Sequence, residues 1–176
     1  MDAIAPSTAE YRDRTEDYLV LESFFSRRRR ALGPLATLAA EVAGLTETVS
    51  GFIQEHTATV CTACAKVCCI NRHSYHETAD IIYLCALGEK LPAYDKAVAD
   101  TEPCQFLGER GCAIRRSLRP YRCNWYFCTP LLEHMQSASA REYRRFMGLM
   151  TELGRKREAL LDIYGEAEKE QSSLLL

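Results

Sequence analysis

Eight of the nine cysteines in this chain fall in two short stretches, four within residues 61–69 and four within residues 104–128. A chain that concentrates thiols in this way must gather its loops around them, through disulfides or through a metal. The redox compartment decides between the two. Asp2, Glu10, Arg12, Asp13, Arg14, Glu16 and Asp17 interrupt the apolar core that a secretory signal at the start of the chain needs. Nowhere do eighteen apolar residues run together, so no membrane-spanning helix and no membrane partner are expected. The expected location is cytoplasmic, where thiols stay reduced and disulfides are the minority reading. An odd number of cysteines also pairs poorly, whereas eight clustered thiols and an isolated Cys85 divide into ligands and one remainder. Metal binding is the default reading.

The flanks of the two stretches read as helix. With 176 residues and 47% hydrophobic composition the chain supports one core with extensions. Residues 7–32 open on a capping box, Ser7 with Glu10, and carry Tyr11, Tyr18, Leu21, Phe24 and Phe25 at helical spacing. Gly33 is expected to stop this helix and Pro34 to begin the next. Leu35, Leu38, Val42, Leu45, Val49 and Phe52 form a heptad seam on a helix over about residues 34–57. Ser139 with Glu142 caps another helix, whose Tyr143, Phe146, Met150, Leu153, Leu160 and Tyr164 repeat the pattern, with Arg157 interrupting it. Ser74 with Glu77 is expected to cap a shorter helix through Ile81, Ile82, Leu84 and Cys85 to Gly88, with Cys85 on its apolar side as a small buried hydrophobe. No strand pattern exceeds a few residues. The seams bury one another in an intramolecular bundle, the favoured reading, or pair across a homodimer, and periodicity does not separate the two.

The expected fold is therefore mainly α, a helical bundle or hairpin flanking an irregular cysteine-rich metal-binding core. Its parts are an N-terminal helical hairpin (1–58), a cysteine-cluster core (59–130) and a C-terminal helix (131–176) packed on the N-terminal helices.

Within the first stretch, the two-residue gap between Cys61 and Cys64 lets both sulfurs turn toward one metal, as in zinc knuckles and iron–sulfur loops alike. Cys68 and Cys69 are adjacent, and neighbouring side chains in extended or turn backbone diverge. They serve different metals, or one is a ligand and the other supports it. In the second stretch, Gly108 and Gly111 allow a tight turn between Cys104 and Cys112, and Pro120 favours an extended approach to Cys123. Cys128 closes it. Arg110, Arg115, Arg116, Arg119 and Arg122 against Glu109 leave a local net charge of +4. Four thiolates on zinc or on a four-iron cluster leave a net charge of about −2, which nearby guanidinium groups stabilise. Arg119 and Arg122, flanking Pro120 and preceding Cys123, are the candidates for that support. Trp125, Tyr126, Phe127 and Phe106 are candidates for an aromatic wall, or for ordinary core.

These residues resemble the YkgJ-like CxxCxxCC cysteine-cluster family, described as zinc- or iron-chelating. The resemblance covers residues 61–128. It rests on Cys61, Cys64, Cys68 and Cys69, and on the trailing pattern of Cys104, Phe106, Leu107, Gly111, Cys112, Ile114, Arg119, Pro120 and Cys123. Two departures stand out: three residues separate Cys64 from Cys68, and Asn124 stands where the family often has a second arginine.

The function expected is a metal-binding protein that uses Cys61, Cys64, Cys68, Cys69, Cys104, Cys112, Cys123 and Cys128. The favoured cofactor is an iron–sulfur cluster of the [4Fe-4S] type, for electron transfer or redox sensing with a protein or redox partner. The alternative is a structural Zn²⁺ module that presents a helical interaction surface. His73, His76 and His134 lie near the cysteines in sequence, as ligands, proton carriers or plain surface residues. No nucleophile–base pair, phosphate loop or nucleotide fingerprint is visible, so an enzymatic role reduces to a metal- or iron–sulfur-dependent oxidoreductase. A net charge of −2 gives no chain-wide attraction for nucleic acid, and the run Arg27 to Arg30 is better placed to complement a helix dipole.

Overall fold

The computed structural model describes residues 14–65, 67–109 and 111–174. The Ser7 capping box and Tyr11 lie outside the described residues, as does Arg110. Among the described residues there are six α-helices: α1 (Thr15–Arg27), α2 (Gly33–Val60), α3 (Thr78–Leu87), α4 (Arg122–Trp125), α5 (Thr129–Ala138) and α6 (Ala140–Leu174). A two-stranded ribbon, β1 (Leu107–Gly108) with β2 (Gly111–Cys112), completes the regular structure.

The frame is the pair α2 and α6. Phe24 and Phe25 of α1 meet Tyr164, Glu41 pairs with Lys156, and Phe52 stacks on Phe146 at 4.6 Å. Residue numbers thus fall along α6 as they rise along α2, so the two helices are antiparallel and their seams bury each other within one chain. The expected α6 seam is the observed one at Phe146, Leu153, Leu160 and Tyr164, all buried. On α2 the seam is turned. Leu35, Val42 and Val49 are buried as expected, but their companions are Ala39, Thr46 and Ile53 rather than Leu38, Leu45 and Phe52, which are only partly buried. The reason is that α2 has neighbours on more than one side. Besides α6 it meets α3, α5 and the 3-10 turn Arg116–Leu118, and small Ala39 and Thr46 let those elements approach. Thr46 meets its hydroxyl's need by donating to the Val42 carbonyl at 2.8 Å.

Two helix ends differ from expectation. Gly33 does not stop α1; α1 ends at Arg27, the chain turns through residues 28–32, and Gly33 opens α2 with Pro34 in its first turn. Burial of Leu32 forces the reversal there, so a left-handed glycine is not needed. Ser74 does not cap α3; Glu77 does, in a reciprocal capping box with Asp80, while the Ser74 hydroxyl donates to the Asn71 carbonyl at 2.7 Å. Gly88 ends α3 as expected, at φ 78°, with Glu89 N–H reaching the Leu84 carbonyl. Ser139 accepts from Glu142 N–H at the start of α6. Arg28 lies over the Phe24 ring and reaches the Ala167 carbonyl, so the arginine run serves the bundle. Among the described residues no helix is long and apolar enough to cross a membrane.

Two apolar clusters fill the interior. One joins α1, the first half of α2, α3 and the far half of α6. The other joins Val49 and Ile53 with Leu131 and Met135 of α5 and with Phe146. The cysteine loops lie over the end of the bundle that this second cluster supports.

Candidate metal centre

Backbone hydrogen bonds bring the two cysteine stretches together. The irregular segment 89–103 returns alongside residues 69–72: Glu102 and Asp100 carbonyls accept from Asn71 and Arg72 N–H, and Cys69 C=O accepts from Cys104 N–H at 2.9 Å. Ile70 and Pro103 form an antiparallel bridge between those bonds. Asn71 secures the crossing from a fully buried position, donating from Nδ2 to Tyr75 Oη and Val98 O and accepting from Gln105 Nε2, each at 2.9 Å. Cys69 and Cys104 are neighbours for this reason.

From Cys104 the chain turns at once, with Leu107 N–H donating to the Cys104 carbonyl, into the β1–β2 ribbon that sets Leu107 opposite Cys112. Gly111 takes φ 101°, a conformation that side-chain-bearing residues rarely adopt, and so allows the two-residue connection. Arg119 then ties down the loop, donating from Nε to Ile114 O at 2.8 Å and from Nη2 to Cys112 O at 3.4 Å. Arg116 does the same for Cys123, whose carbonyl accepts from its Nη1 at 3.4 Å while Ser50 of α2 accepts from Nε. Arg122 instead pairs with Glu77 at the surface.

The other thiols depend on helix ends. Cys61 follows α2, and Cys64 N–H donates back to Cys61 C=O in a tight turn. Cys128 is the first residue before α5, and α5 packs on α2 through Leu131, Met135 and a histidine pair. In that pair the Nδ1 atoms of buried His56 and of His134 lie 2.9 Å apart. Cys128 is thereby delivered to the end of α2 that carries Cys61.

The electrostatic neighbours of each sulfur follow this division. Burial, first, and then Cys68, Cys128 and Cys64 raise the Cys61 thiol. Cys68 is likewise raised by burial and then by Cys128 and Cys64. Burial pushes Cys69 up to about 11, with Cys68, Cys104, Cys61 and Cys112 adding to it. Cys69 is exposed as a residue, yet desolvation dominates at its thiol, so the sulfur sits in the sheltered part. Cys123 is pushed up to about 12 by burial and then by Cys112, Cys69 and Cys104, with Arg119 opposing. Cys104 is raised by burial and by Cys112, with the Phe106 N–H opposing. Cys64 and Cys68 are exposed, whereas Cys104, Cys112 and Cys123 are partly covered.

Cys85 stands apart, packed in the apolar cluster of α3 with its thiol pushed up to about 12 by burial and by Glu22. His73 Nδ1 lies 3.2 Å from Cys68 O, and burial holds its imidazole below the usual range. His76 is enclosed, with Nε2 at Leu118 O and Nδ1 in contact with Tyr94 Oη. The expected aromatic wall is split. Phe127 joins the bundle core against Phe146 and Phe106 packs on Tyr94, but Trp125 and Tyr126 are each 49% exposed. The chain leaves α4 at Tyr126 in an extended conformation, which sends successive side chains to opposite sides.

No family model, curated protein or solved structure matches the chain. Among the described residues, no group of three or more His, Cys, Asp or Glu side chains is closed into a geometry that holds a metal ion. The donor set nonetheless suits one chemically. A thiol gives up its proton when it binds a soft metal ion, and a bound ion gathers its ligands around it. Eight thiols and two guanidinium-anchored loops make a soft, anion-forming site suited to zinc or iron–sulfur chemistry.

Residues outside the sequence expectations also shape the site. His56 could have been found by extending the α2 seam Leu35, Val42, Val49 one more heptad, to a buried histidine beside the first cysteine. Asn71 and Tyr94 act through long-range pairing, and no local signal announces them.

Proposed function

We propose that this chain is a metal-binding cysteine-cluster protein carrying an iron–sulfur centre of the [4Fe-4S] type, for electron transfer or redox sensing. The observation that carries the reading is the Cys69–Cys104 backbone pairing, which sets two distant thiol-rich stretches side by side on one end of a helical scaffold. Cys61, Cys64, Cys68, Cys69, Cys104, Cys112, Cys123 and Cys128 are the residues that would hold the metal. When bound, such a cluster supplies reversible one-electron chemistry. Arg119 and Arg116 anchor the loop carbonyls of Cys112 and Cys123 and offset the negative charge that thiolates bring. Partial covering of Cys123 and Cys104 limits access of water and oxidants to that side, while the exposure of Cys64 and Cys68 leaves a face for a redox partner.

A structural zinc module is the second reading, favoured by the tight Cys61–Cys64 turn, a geometry zinc knuckles use. Anaerobic purification separates the two. The iron–sulfur reading expects a brown protein with broad visible absorption, iron and acid-labile sulfide. A colourless protein with stoichiometric zinc would overturn it.

A further inference from the structure

We infer that the eight thiols form two separate metal centres that meet at the peptide bond between Cys68 and Cys69. An outer centre is held by Cys61, Cys64, Cys68 and Cys128, and an inner one by Cys69, Cys104, Cys112 and Cys123. The inference rests on the metal-binding reading above and goes beyond it by assigning each thiol to a centre, whichever metal is bound.

The backbone makes the division before any side chain is considered. Three of the outer four hang from helix ends: Cys61 and Cys64 from the turn that closes α2, and Cys128 from the start of α5, which is fixed to α2 by Leu131, Met135 and the His56–His134 contact; Cys68 lies in the loop that follows Cys64. The inner four hang from the loop pairing: Cys69 bonded to Cys104, Cys104 turned into the ribbon that carries Cys112, and Cys123 held by Arg116. The outer set depends mainly on helix packing, whereas Cys69, Cys104 and Cys112 depend on strand-like pairing and Cys123 is brought to them on α4.

Side-chain surroundings agree. The electrostatic neighbours of Cys68 are Cys128 and Cys64, and those of Cys123 are Cys112, Cys69 and Cys104. The neighbours of Cys69 from the other set are Cys68, its covalent neighbour, and Cys61. Adjacent side chains in non-helical backbone point apart, so Cys68 and Cys69 are suited to different ions rather than to one tetrahedral ion. Each set supplies four thiolates, the full complement for a tetrahedral ion or a four-iron cluster. A single centre would leave four thiols gathered with nothing to bind.

The two centres differ in access. Arg116 and Arg119 face the inner thiols, of which only Cys69 is exposed and Cys123 is strongly desolvated. The outer set includes exposed Cys64 and Cys68, close to His73 and through it to exposed Tyr126. The outer centre is the exchangeable one, and the inner centre is retained.

The test is titration of the full-length, reduced, metal-free protein with Co²⁺, whose thiolate charge-transfer and ligand-field bands report tetrathiolate coordination. Two equivalents are expected for the wild type. Cys68→Ser with Cys128→Ser, and separately Cys104→Ser with Cys123→Ser, should each leave one equivalent with its tetrathiolate spectrum intact. In Co²⁺-loaded wild type, limiting EDTA with iodoacetamide should alkylate Cys61, Cys64, Cys68 and Cys128 first, as a set, which answers the question even if a variant does not fold. One equivalent in the wild type, lost in both variants, would overturn the division while leaving metal binding intact, as would alkylation of a mixed set. Absence of any tetrathiolate spectrum would overturn the metal-binding reading itself.

Discussion

Arg157 Nη2 of α6 donates to Asp80 Oδ1 of α3 at 2.9 Å, with both side chains largely withdrawn from water. The arginine that breaks the apolar seam in the sequence is therefore a fastener. The same carboxylate accepts from Tyr121 N–H and from Glu77 N–H, and the guanidinium lies 4.3 Å from the centre of the Tyr121 ring. One ion pair thus ties the last helix, the capping box of α3 and the approach to Cys123.

Removing one partner leaves the other charge buried. Arg157→Met should destabilise the metal-free protein by about 3 kcal/mol, the lower end for a broken buried pair. Urea denaturation followed by far-ultraviolet circular dichroism measures it. Loss under about 1 kcal/mol would show the pair to be solvated and worth no more than a surface bridge.

Arg157 also marks what the sequence allowed and what it withheld. Helix spacing is local, so Phe146, Leu153 and Leu160 could be read as a buried stripe. The partner of a charged residue within that stripe could not, because Asp80 lies far away in the chain. The same holds at the cysteines. The Cys61–Cys64 turn is local and was legible, whereas the Cys69–Cys104 pairing depends on Asn71, Glu102 and Asp100 meeting across a connector without periodicity. The α2 seam was misplaced by one position for a related reason. Leu38 and Leu45 outrank Ala39 and Thr46 in hydrophobicity, yet close approach of other elements favours the smaller pair.

Raised thiol pKa values set the pH dependence in both states. A thiol whose folded value stands above its ordinary one favours the fold while protonated. That contribution is fully present below about 9 and is lost as pH rises toward about 11 for Cys69 and about 12 for Cys123 and Cys85. The metal-free protein should therefore melt at a lower temperature at pH 11 than at pH 8, as differential scanning calorimetry would record. Metal binding has the opposite sign, because each thiol must give up its proton. Zn²⁺ should release about four protons per ion at neutral pH, read with an indicator dye in weak buffer, and bind more tightly as pH rises. Binding without proton release would show that the ligands are not these thiols.

Cys85 packs with Leu84, Ala86 and Tyr18 in the bundle core, away from both cysteine stretches. Cys85→Ala removes one sulfur from a partly buried site and should cost about 1 kcal/mol, near the mild end for truncation in a core. Metal content after purification should be unchanged. A fall in bound metal would place this ninth cysteine in the site.

Arg116 is buried, and its guanidinium is lowered to about 10 by desolvation and by Arg119, with the Glu47 carboxylate acting in its favour. Its hydrogen-bond acceptors, Ser50 Oγ and Cys123 O, carry no charge, and the Glu47 carboxylate is shared with Ser117 N–H. In the metal-free protein at neutral pH, Cys123 is protonated and gives this cation no counter-charge. Metal loading turns the neighbouring thiols into thiolates and supplies it. The same residue therefore weakens the empty fold and strengthens the loaded one. Arg116→Met replaces the buried cation with an apolar chain of similar length, a change that is often neutral or stabilising by about 1 kcal/mol or more. The metal-free variant should accordingly melt no lower than the wild type, while Zn²⁺ affinity, measured by competition with a chromophoric chelator, should fall about tenfold, the loss of one charge-assisted contact of about 1.4 kcal/mol. Equal loss of stability with and without metal would assign Arg116 a purely structural part.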